Sequence, residues 1–403
     1  MVGFFNIQKE SGDFMDFYRE ISDAFEEMRQ TRRFLHMHPE LSFKETKTAA
    51  FITAQYDAMG VHYESNFGGG YGIVARINGA NPGKTIALRA DFDALPIHDQ
   101  KEVPYRSQTD NVSHSCGHDG HTAMLLTIAR ILKRHEKTIS GNYVLIHQPA
   151  EEHPPGGAID MIKAGCLNGV DAIFGTHLWS LFESGHIYTT QGPLMAAASN
   201  FKITLIGKGG HGGAPQTSVD AIALTATVIQ QLQQIVSRRL NPLSPAVLSV
   251  GAIEAGETYN IIAEKAILKG TVRVFDDETK KEVYDEMTRI LQGICLSAGA
   301  SYELNIIDGY PPVINDDRCA QFLHDFAYSV PAVIDSHFIQ PLMVGEDFAY
   351  YLEQVPGVFF LTGAKPKSGI AYPHHHGKFD FDEEAMIVGA QTMLGAVLKY
   401  QET

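Results

Sequence analysis

Short apolar segments alternate with helical segments along much of the chain, and this alternation restricts the fold more than any other feature of the sequence. Strand patterns occur at 72–77, 85–91, 142–150 and 171–179, and helical patterns occur at 121–135 and 157–165. Such alternation predicts an α/β fold in which the sheet carries helices on both faces. We expect the strands at 72–77 and 85–91 to be neighbours.

The sequence near the N-terminus predicts one long helix over residues 11–37. Apolar residues recur there at helical spacing, among them Phe14, Ile21 and Met28. The segment up to residue 14 contains no basic leader, no long apolar core and no cleavage signal, so we expect no signal peptide.

A different pattern begins near residue 198. The strands and helices predicted over 198–308 follow the order β-α-β-β-α-β, which is that of a ferredoxin-like sandwich. Because this segment is complete in itself and the earlier alternation resumes after it, we predict an inserted domain at 198–308. Residues 1–197 plus 309–403 would then form one discontinuous, metal-binding catalytic domain.

Charge and cysteine usage exclude several classes of partner. The 403 residues carry a formal net charge of −15, which disfavours binding to nucleic acid or to an anionic membrane surface. No uninterrupted apolar segment approaches the roughly 18 residues of a membrane-spanning helix. The scattered cysteines contain no C-x-x-C pair, which favours reduced thiols in the cytoplasm; they are Cys116, Cys166, Cys295 and Cys319.

Residue types that bind or orient metal ions cluster at the predicted strand ends. Ligands of open α/β sheets bind beyond the carboxyl ends of the strands, so these residues are expected at one edge of the sheet. The residues at strand ends are Asp91, Asp93, Glu151, Glu152 and His177, and Cys116 and His118 immediately precede the predicted helix at 121–135.

The adjacent carboxylates Glu151 and Glu152 could have two different roles in catalysis. Two neighbouring acidic residues are usually a solvated surface pair, but these two follow a buried-looking strand and precede the turn HPPGGA. One carboxylate can bind metal while the other takes a proton from water. Asp93 is expected either to fix the tautomer of a ligating histidine or to form a turn at the strand end.

The segment HSCGHDGH at 114–121 leaves two roles open for Cys116. A structural zinc site lacks further ligands at finger spacing. Metal ligation with His118 and nucleophilic catalysis with a histidine base are both compatible with the residues alone. We expect His114 and His121 to have supporting roles, and Asp119 to be a helix N-cap or to orient a ligand.

Motifs distributed in order from about residue 30 to 390 resemble those of one known family. They read RRFLHMHPELSFKE, LRADFDALPI, HSCGHDGHTAMLL, QPAEEHPPGGA, GTHLW, GKGGHGGAPQTSVDAI, VGEDFAYYL and HHHGKFDFDEEA. The family is that of the metal-dependent amidohydrolases, which comprises bacterial aminoacylases, hippurate hydrolases and plant indole-acetyl-amino-acid hydrolases. The resemblance implies a zinc-peptidase-like α/β catalytic domain with an inserted ferredoxin-like lid or dimerisation domain.

The resemblance also implies a site for two divalent metal ions, manganese or zinc. The chain's residues at the family's ligand positions are Cys116, His118, Glu152, His177 and His375. His375 is chosen over His374 and His376 by its spacing from Phe379, although Gly377 stands where the family pattern has proline. Glu151 matches the general base. Cys116 would bridge both ions as a thiolate, which is chemically reasonable and favours zinc.

Three residues of the inserted domain match further functional positions of the family. The resemblance implies that His211 reaches the active site of a partner subunit and stabilises the oxyanion of the tetrahedral intermediate, so a homodimer or higher oligomer is expected. Asn260 and Arg273 match positions that hold the substrate carboxylate, for which an arginine fork is well suited.

We therefore predict a metal-dependent enzyme that hydrolyses the amide bond of N-acyl amino acids or similar small conjugates. The alternatives are a dipeptidase or carboxypeptidase with the same mechanism, a relative that binds metal but has lost catalysis, and a cysteine hydrolase that needs no metal.

Overall fold

The computed structural model describes residues 11–403, with side chains from residue 15 onward. The chain forms two compact units. One contains the described residues up to Leu194 together with Ile314–Gln340 and Asp347–Thr403, and the other contains Met195–Val313 and Pro341–Glu346. The side chain of Phe14 and the N-terminal residues 1–10, from which we expect no signal peptide, lie outside the described residues.

The first unit consists of a large sheet and the helices that cover it. Its helices are α1 (Ser11–Asp23), α2 (Phe25–Met37), α3 (Thr46–Met59), α4 (His118–Arg134), α5 (Ala158–Lys163), α8 (Asp317–Ala327), α9 (Ala349–Leu352) and α10 (Ala385–Tyr400). Its strands are β1 (His62–Phe67), β2 (Gly72–Asn78), β3 (Asn81–Asp91), β4 (Ser140–Gln148), β5 (Ala172–Trp179), β6 (His186–Thr189), β15 (Asp335–Phe338) and β16 (Gly357–Gly363). Strands β7 (Gly192–Met195) and β14 (Val313–Asn315) lie where the chain passes between the units.

The eight strands of this sheet have the order β1-β2-β4-β3-β5-β16-β6-β15. Strand β3 pairs in parallel with both β4 and β5, and β5 pairs in parallel with β16. The carboxyl ends of β3, β4 and β5 therefore lie at the same edge. The expectation that β2 and β3 are neighbours is wrong, because β4 lies between them and pairs with β2 in the antiparallel sense.

Two helix predictions also need correction. The helix expected over 11–37 is divided into α1 and α2 at Ala24. Helix α4 begins at His118, three residues before the predicted start, and Gly117 is its N-cap, with a φ of 99°. Asp119 therefore does not cap this helix. Helices α4 and α10 are buried along most of their lengths and contribute much of the core of this unit.

The second unit has its own sheet and its own core. It contains β8 (Ala197–Ile206), β9 (Gly210–His211), α6 (Ala221–Gln234), β10 (Ala246–Ala255), β11 (Ile261–Ile262), β12 (Lys265–Val274), α7 (Asp277–Ala298) and β13 (Ser301–Asp308). The four long strands have the order β10-β12-β8-β13, and all neighbouring strands are antiparallel. This arrangement, with α6 and α7 packed on the sheet, is the predicted ferredoxin-like fold.

None of the helices within residues 11–403 combines the length and the apolar character needed to cross a bilayer.

One buried histidine of the core makes folding stability depend on pH. His147 in β4 is fully buried, its Nε2 lies 2.8 Å from the Tyr56 hydroxyl, and its Nδ1 has no hydrogen-bond partner among the described residues. Burial lowers the pKa of His147 to about 3. The unfolded chain, in which a histidine has a pKa of about 6.5, therefore binds more protons than the folded chain between these two values.

The free energy of unfolding should accordingly fall as the pH decreases from about 6.5 towards 3. We expect His147→Gln, which keeps a hydrogen-bonding group near Tyr56, to reduce this slope by up to about 1.4 kcal/mol per pH unit. Denaturant unfolding of the metal-free protein at several pH values would measure it. The same change at His62, which is exposed on β1, should leave the slope unaltered. Equal slopes in the wild type and His147→Gln would contradict the prediction.

Candidate metal centre

The predicted ligands of the catalytic domain meet at the carboxyl edge of β3, β4 and β5. Glu151 and Glu152 follow the end of β4, and His118 is the first residue of α4. His177 lies inside β5 rather than after it, two residues before the strand ends. The parallel arrangement of the three strands explains why residues so far apart in the sequence lie together.

Cys116 belongs to two overlapping groups of possible metal ligands. One group contains Cys116, His118 and His177, the other contains Cys116, Glu152 and His375, and within each group the ligand atoms lie within 4.8 Å of one another. Cys116 Sγ is 3.4 Å from His177 Nε2. Since the thiol is common to both groups, its position suits a bridge between two ions.

Two buried polar atoms of this cluster indicate that cations belong there. His118 Nε2 and Glu152 Oε1 lie 3.8 Å apart, and neither has a hydrogen-bond partner among the described residues. Buried polar atoms are nearly always paired, since leaving them unpaired costs free energy. A divalent cation would satisfy both atoms, and thiolate, imidazole and carboxylate form a donor set that zinc and related ions accept.

The hydrogen bonds of the two buried histidines set their tautomers for metal binding. His118 Nδ1 lies 3.1 Å from Asp93 Oδ1, and His177 Nδ1 lies 2.9 Å from the carbonyl oxygen of Leu178. In each ring, donation from Nδ1 leaves the lone pair on Nε2, which faces the cluster.

Asp93 connects three parts of the site. Besides facing His118, it accepts a hydrogen bond of 3.0 Å from the backbone N–H of Glu152 and one of 2.7 Å from the Ser42 hydroxyl. Burial opposes ionisation, but His118 and these hydrogen bonds hold the pKa of Asp93 below its ordinary value. The carboxylate thus stays charged while it orients one imidazole and holds the backbone of one acidic residue of the cluster.

Asp91 and His121 are engaged with each other and with the scaffold. The Arg89 guanidinium donates to Asp91 Oδ2 at 2.6 Å, and His121 Nδ1 lies 2.7 Å from Asp91 Oδ1. The backbone N–H of Leu178 donates to His121 Nε2 at 2.9 Å. Both ring nitrogens of His121 are therefore hydrogen-bonded, which agrees with a supporting role for this histidine. Both carboxylate oxygens of Asp91 are engaged as well, which argues against metal ligation by Asp91.

Of the three consecutive histidines at 374–376, His375 is the one directed at the cluster. Its Nε2 lies 3.2 Å from Glu152 Oε2, and the residue adopts a φ of 64°, with its backbone N–H donating to the carbonyl oxygen of Ser115. His374 is directed elsewhere, since its Nε2 lies 3.0 Å from the carbonyl oxygen of Leu178. The ring of His376 stacks on Tyr372.

Glu45 was missed by the sequence analysis although it positions the acidic pair. Its side chain is buried, and Oε1 accepts a hydrogen bond of 2.8 Å from the backbone N–H of Ala150. Ala150 has a φ of 56°, which is uncommon for a residue other than glycine, and it immediately precedes Glu151. Burial raises the pKa of Glu45 to about 7, with a further contribution from Asp93. A single glutamate before a helix carries no sequence signal of this contact.

Asp119 instead belongs to a buried ion-pair network that the sequence analysis also missed. Its Oδ2 lies 2.9 Å from Arg32 Nε and 2.7 Å from His36 Nδ1. Arg32 is fully buried and also pairs with Asp380 at 2.9 Å. These contacts attach α2 to the first turn of α4, where His118 lies.

The surroundings of Cys116 are unfavourable for a nucleophilic thiolate. Burial raises the pKa of this thiol well above its ordinary value, and the charges of Glu152 and Glu151 act in the same direction. Reactive cysteines instead have lowered pKa values beside positive charge. Burial also lowers the pKa of the neighbouring His177 well below its ordinary value, so a thiolate–imidazolium pair is disfavoured and the cysteine-hydrolase alternative loses support.

The remaining predicted residues lie in the second unit. His211 on β9 and Asn260 are exposed, and the backbone N–H of Gly212 donates to the carbonyl oxygen of Asn260 at 2.8 Å, so His211 and Asn260 lie close together. Arg273 is the next-to-last residue of β12, whereas Asn260 lies before that strand begins. Arg273 donates to the carbonyl oxygen of Val272 at 3.0 Å. Within this unit the structure groups His211 with Asn260 and leaves Arg273 apart.

Comparison with known proteins gives consistent matches over most of the chain. The model of peptidase family M20/M25/M40 matches residues 87–399. An N-acyl-L-amino acid amidohydrolase of Geobacillus stearothermophilus is 47% identical over 287 residues, which are 71% of this chain and 77% of the relative. Thermostable carboxypeptidase 1 of Saccharolobus solfataricus is 38% identical over 375 residues, covering 92% and 94% of the two chains.

A solved structure also indicates the M20 family. A dinuclear metal-binding peptidase of the M20 family from Bacillus subtilis superposes with a TM-score of 0.83 at 34% sequence identity. The match covers 95% of this chain and 99% of that chain. The predicted fold class, an α/β domain with an inserted ferredoxin-like domain, is confirmed.

The position of Asp93 leads to a prediction about metal affinity. Asp93→Asn removes the charged acceptor that faces His118, and we expect metal affinity to fall by about 10- to 100-fold. Metal titration can be followed by the fluorescence of Trp179, the one tryptophan of the sequence, whose ring centroid is 5.4 Å from that of His177. Ser42→Ala removes one neutral donor from Asp93 but keeps its charge, so its effect should be smaller. Wild-type affinity in Asp93→Asn would refute the orienting role.

Proposed function

Because the chain belongs to peptidase family M20/M25/M40, we propose that it removes the acyl group from N-acyl amino acids or similar small conjugates. It is a metal-dependent hydrolase that cleaves amide bonds, and the predicted family resemblance is confirmed. The observation that carries the proposal is the buried cluster of thiol, imidazole and carboxylate ligands beside the Glu151–Glu152 pair.

The proposed ligands fit two divalent ions, as in the dinuclear relative of known structure. They are Cys116, His118, Glu152, His177 and His375, with Cys116 shared by the two ligand groups. When bound, two such ions polarise the substrate carbonyl and lower the pKa of the attacking water. We propose zinc rather than manganese because the thiolate is a soft ligand.

Glu151 is the proposed general base. Its carboxylate is buried beside the ligands, with Oε2 3.9 Å from His118 Nε2. The hydrogen bond from Ala150 to Glu45 sets the backbone turn that directs it there. Glu151 takes a proton from the attacking water and returns it to the nitrogen of the departing amino acid, so one carboxylate serves both transfers.

The second unit is proposed to act as the lid and dimerisation domain. His211 would donate a hydrogen bond to the oxyanion in the active site of a partner subunit, and Asn260 and Arg273 would hold the substrate carboxylate. The exposure of His211 and Asn260, and their closeness to each other, support a shared role in contacts outside this unit. A homodimer or higher oligomer follows from this proposal.

A carboxypeptidase activity is the second candidate, because a relative of that name covers 92% of the chain. Both candidates use the same residues and differ in the group on the carbonyl side of the cleaved bond. Rates on N-acetyl and N-benzoyl amino acids, compared with rates on dipeptides and on longer peptides, would separate them. Loss of catalysis in this chain is disfavoured by the intact Glu151–Glu152 pair.

Replacement of the base tests the catalytic proposal. In Glu151→Gln we expect kcat for an N-acyl amino acid to fall by about 100- to 10,000-fold, the range attributed to general acid–base catalysis. Metal content, measured by elemental analysis, should stay near two ions per chain. Glu64→Gln, an exposed position on β1, is the matched control and should retain full activity. Substantial turnover in Glu151→Gln would eliminate this role.

The proposed action of His211 in the active site of a partner subunit can be tested by mixing two variants of low activity. His211→Gln should lower kcat by about 100- to 1,000-fold through loss of an oxyanion donor. If His211 acts across a two-fold interface, random subunit exchange with Glu151→Gln should restore about a quarter of wild-type activity, since half of the dimers then contain one complete site. Subunit exchange without recovery, or a fully active monomer, would contradict the proposal.

A further inference from the structure

A second group of metal-ligand side chains lies in the first unit, outside the metal centre. His186 is on β6, and Asp335 and His337 are on the edge strand β15. Their ligand atoms lie within 4.8 Å of one another. Strand β16 lies between β5, which carries His177, and β6, which carries His186. Strands β5 and β6 are therefore about 10 Å apart. No residue is shared with the catalytic cluster.

Strand register places the three side chains on one face of the sheet. Strands β6 and β15 are parallel, with Asp335 opposite His186 and His337 opposite Tyr188. Side chains alternate between faces along a strand, so Asp335 and His337, two residues apart, point the same way. All three side chains are partly exposed, whereas the intervening Ser336 is buried on the other face.

The distances within this group are close to those of a zinc site. His186 Nδ1 lies 2.9 Å from His337 Nε2, and His337 Nε2 lies 3.7 Å from Asp335 Oδ2. Ligand atoms around tetrahedral zinc, with bonds of about 2.0–2.2 Å, are about 3.4 Å apart. The two measured separations lie on either side of that value, and the ligand atoms of the third pair, His186 and Asp335, lie within 4.8 Å of each other.

The two imidazole rings meet edge to edge through their nitrogens. The rings of His186 and His337 are nearly parallel, with an interplanar angle of 9°, and the Tyr188 ring stacks on His337 at 5.1 Å between centroids. Because the two nitrogens face each other, one must donate a proton to the other when no cation is present. A tetrahedral cation that replaces that proton needs the two lone pairs to meet at an angle, so one ring must tilt as the ion binds.

From this geometry we propose that His186, Asp335 and His337 bind one additional transition-metal ion of the zinc type, with water completing the coordination. Two imidazoles and one carboxylate suit zinc better than calcium or magnesium, which prefer oxygen ligands. The ion would join the edge strand β15 to β6. It would be the third metal ion of each chain and would take no part in amide hydrolysis.

Zinc titration of the holoenzyme tests the proposal. Enzyme that contains two metal ions per chain would be titrated with zinc chloride alone by calorimetry, and the bound metal counted after desalting. We expect the wild type to bind one further equivalent. His186→Gln and His337→Gln should each weaken this last binding step by at least about 10-fold, and Asp335→Asn serves as a further variant that keeps both histidines. His62→Gln, an exposed histidine on β1, should bind three ions as the wild type does.

Activity measurements separate this site from the catalytic one. Hydrolysis of an N-acyl amino acid by enzyme with two ions per chain should be the same in the wild type and in all three variants of the cluster. The absence of a third equivalent in the wild type, or its retention with unchanged affinity in the variants, would overturn the proposal. Failure of the proposed amidohydrolase activity would not affect it, because the readout is zinc stoichiometry.

Discussion

The position of one carboxylate, Asp93, governs the arrangement of the metal centre. Its two oxygens contact the imidazole of His118, the backbone N–H of Glu152 and the hydroxyl of Ser42, which belong to three different segments of the chain. A proposed histidine ligand and a proposed carboxylate ligand are therefore oriented by the same group. Because these contacts fix the tautomer of His118 and the backbone of Glu152, the lone pairs that face the cluster are set before any ion binds.

The acidic pair depends on a second buried carboxylate. Ala150 adopts a left-handed conformation that costs about 1 kcal/mol or more for a residue with a side chain. The hydrogen bond from its backbone N–H to Glu45 offsets part of that cost and holds the turn after β4. Two buried acids, Asp93 and Glu45, thus stabilise a local conformation that the sequence around Glu151 would not favour by itself. This strained conformation immediately precedes Glu151, the proposed general base.

Local sequence patterns were sufficient for part of this structure and insufficient for the rest. Hydrophobic periodicity located the strands, and motifs placed candidate ligands at their carboxyl ends, because both depend on nearby residues. The place of β4 between β2 and β3 depends on pairing between distant segments, which periodicity does not encode. Likewise, Asp119 was expected either to cap a helix or to orient a ligand, but it pairs with Arg32, 87 positions earlier in the sequence. Long-range polar partners of this kind leave no local signature.

The surroundings of Cys116 explain why its thiol suits metal binding rather than nucleophilic attack. Burial and the neighbouring charges of Glu151 and Glu152 both raise its pKa, so a thiolate without a cation would be unstable there. Divalent ions reverse this situation, since they neutralise the carboxylates and accept the thiolate as a ligand. The same crowding of negative charge that disfavours an isolated thiolate therefore favours cations, and the proposed ligation by the acidic residues and by the cysteine would depend on the same ions.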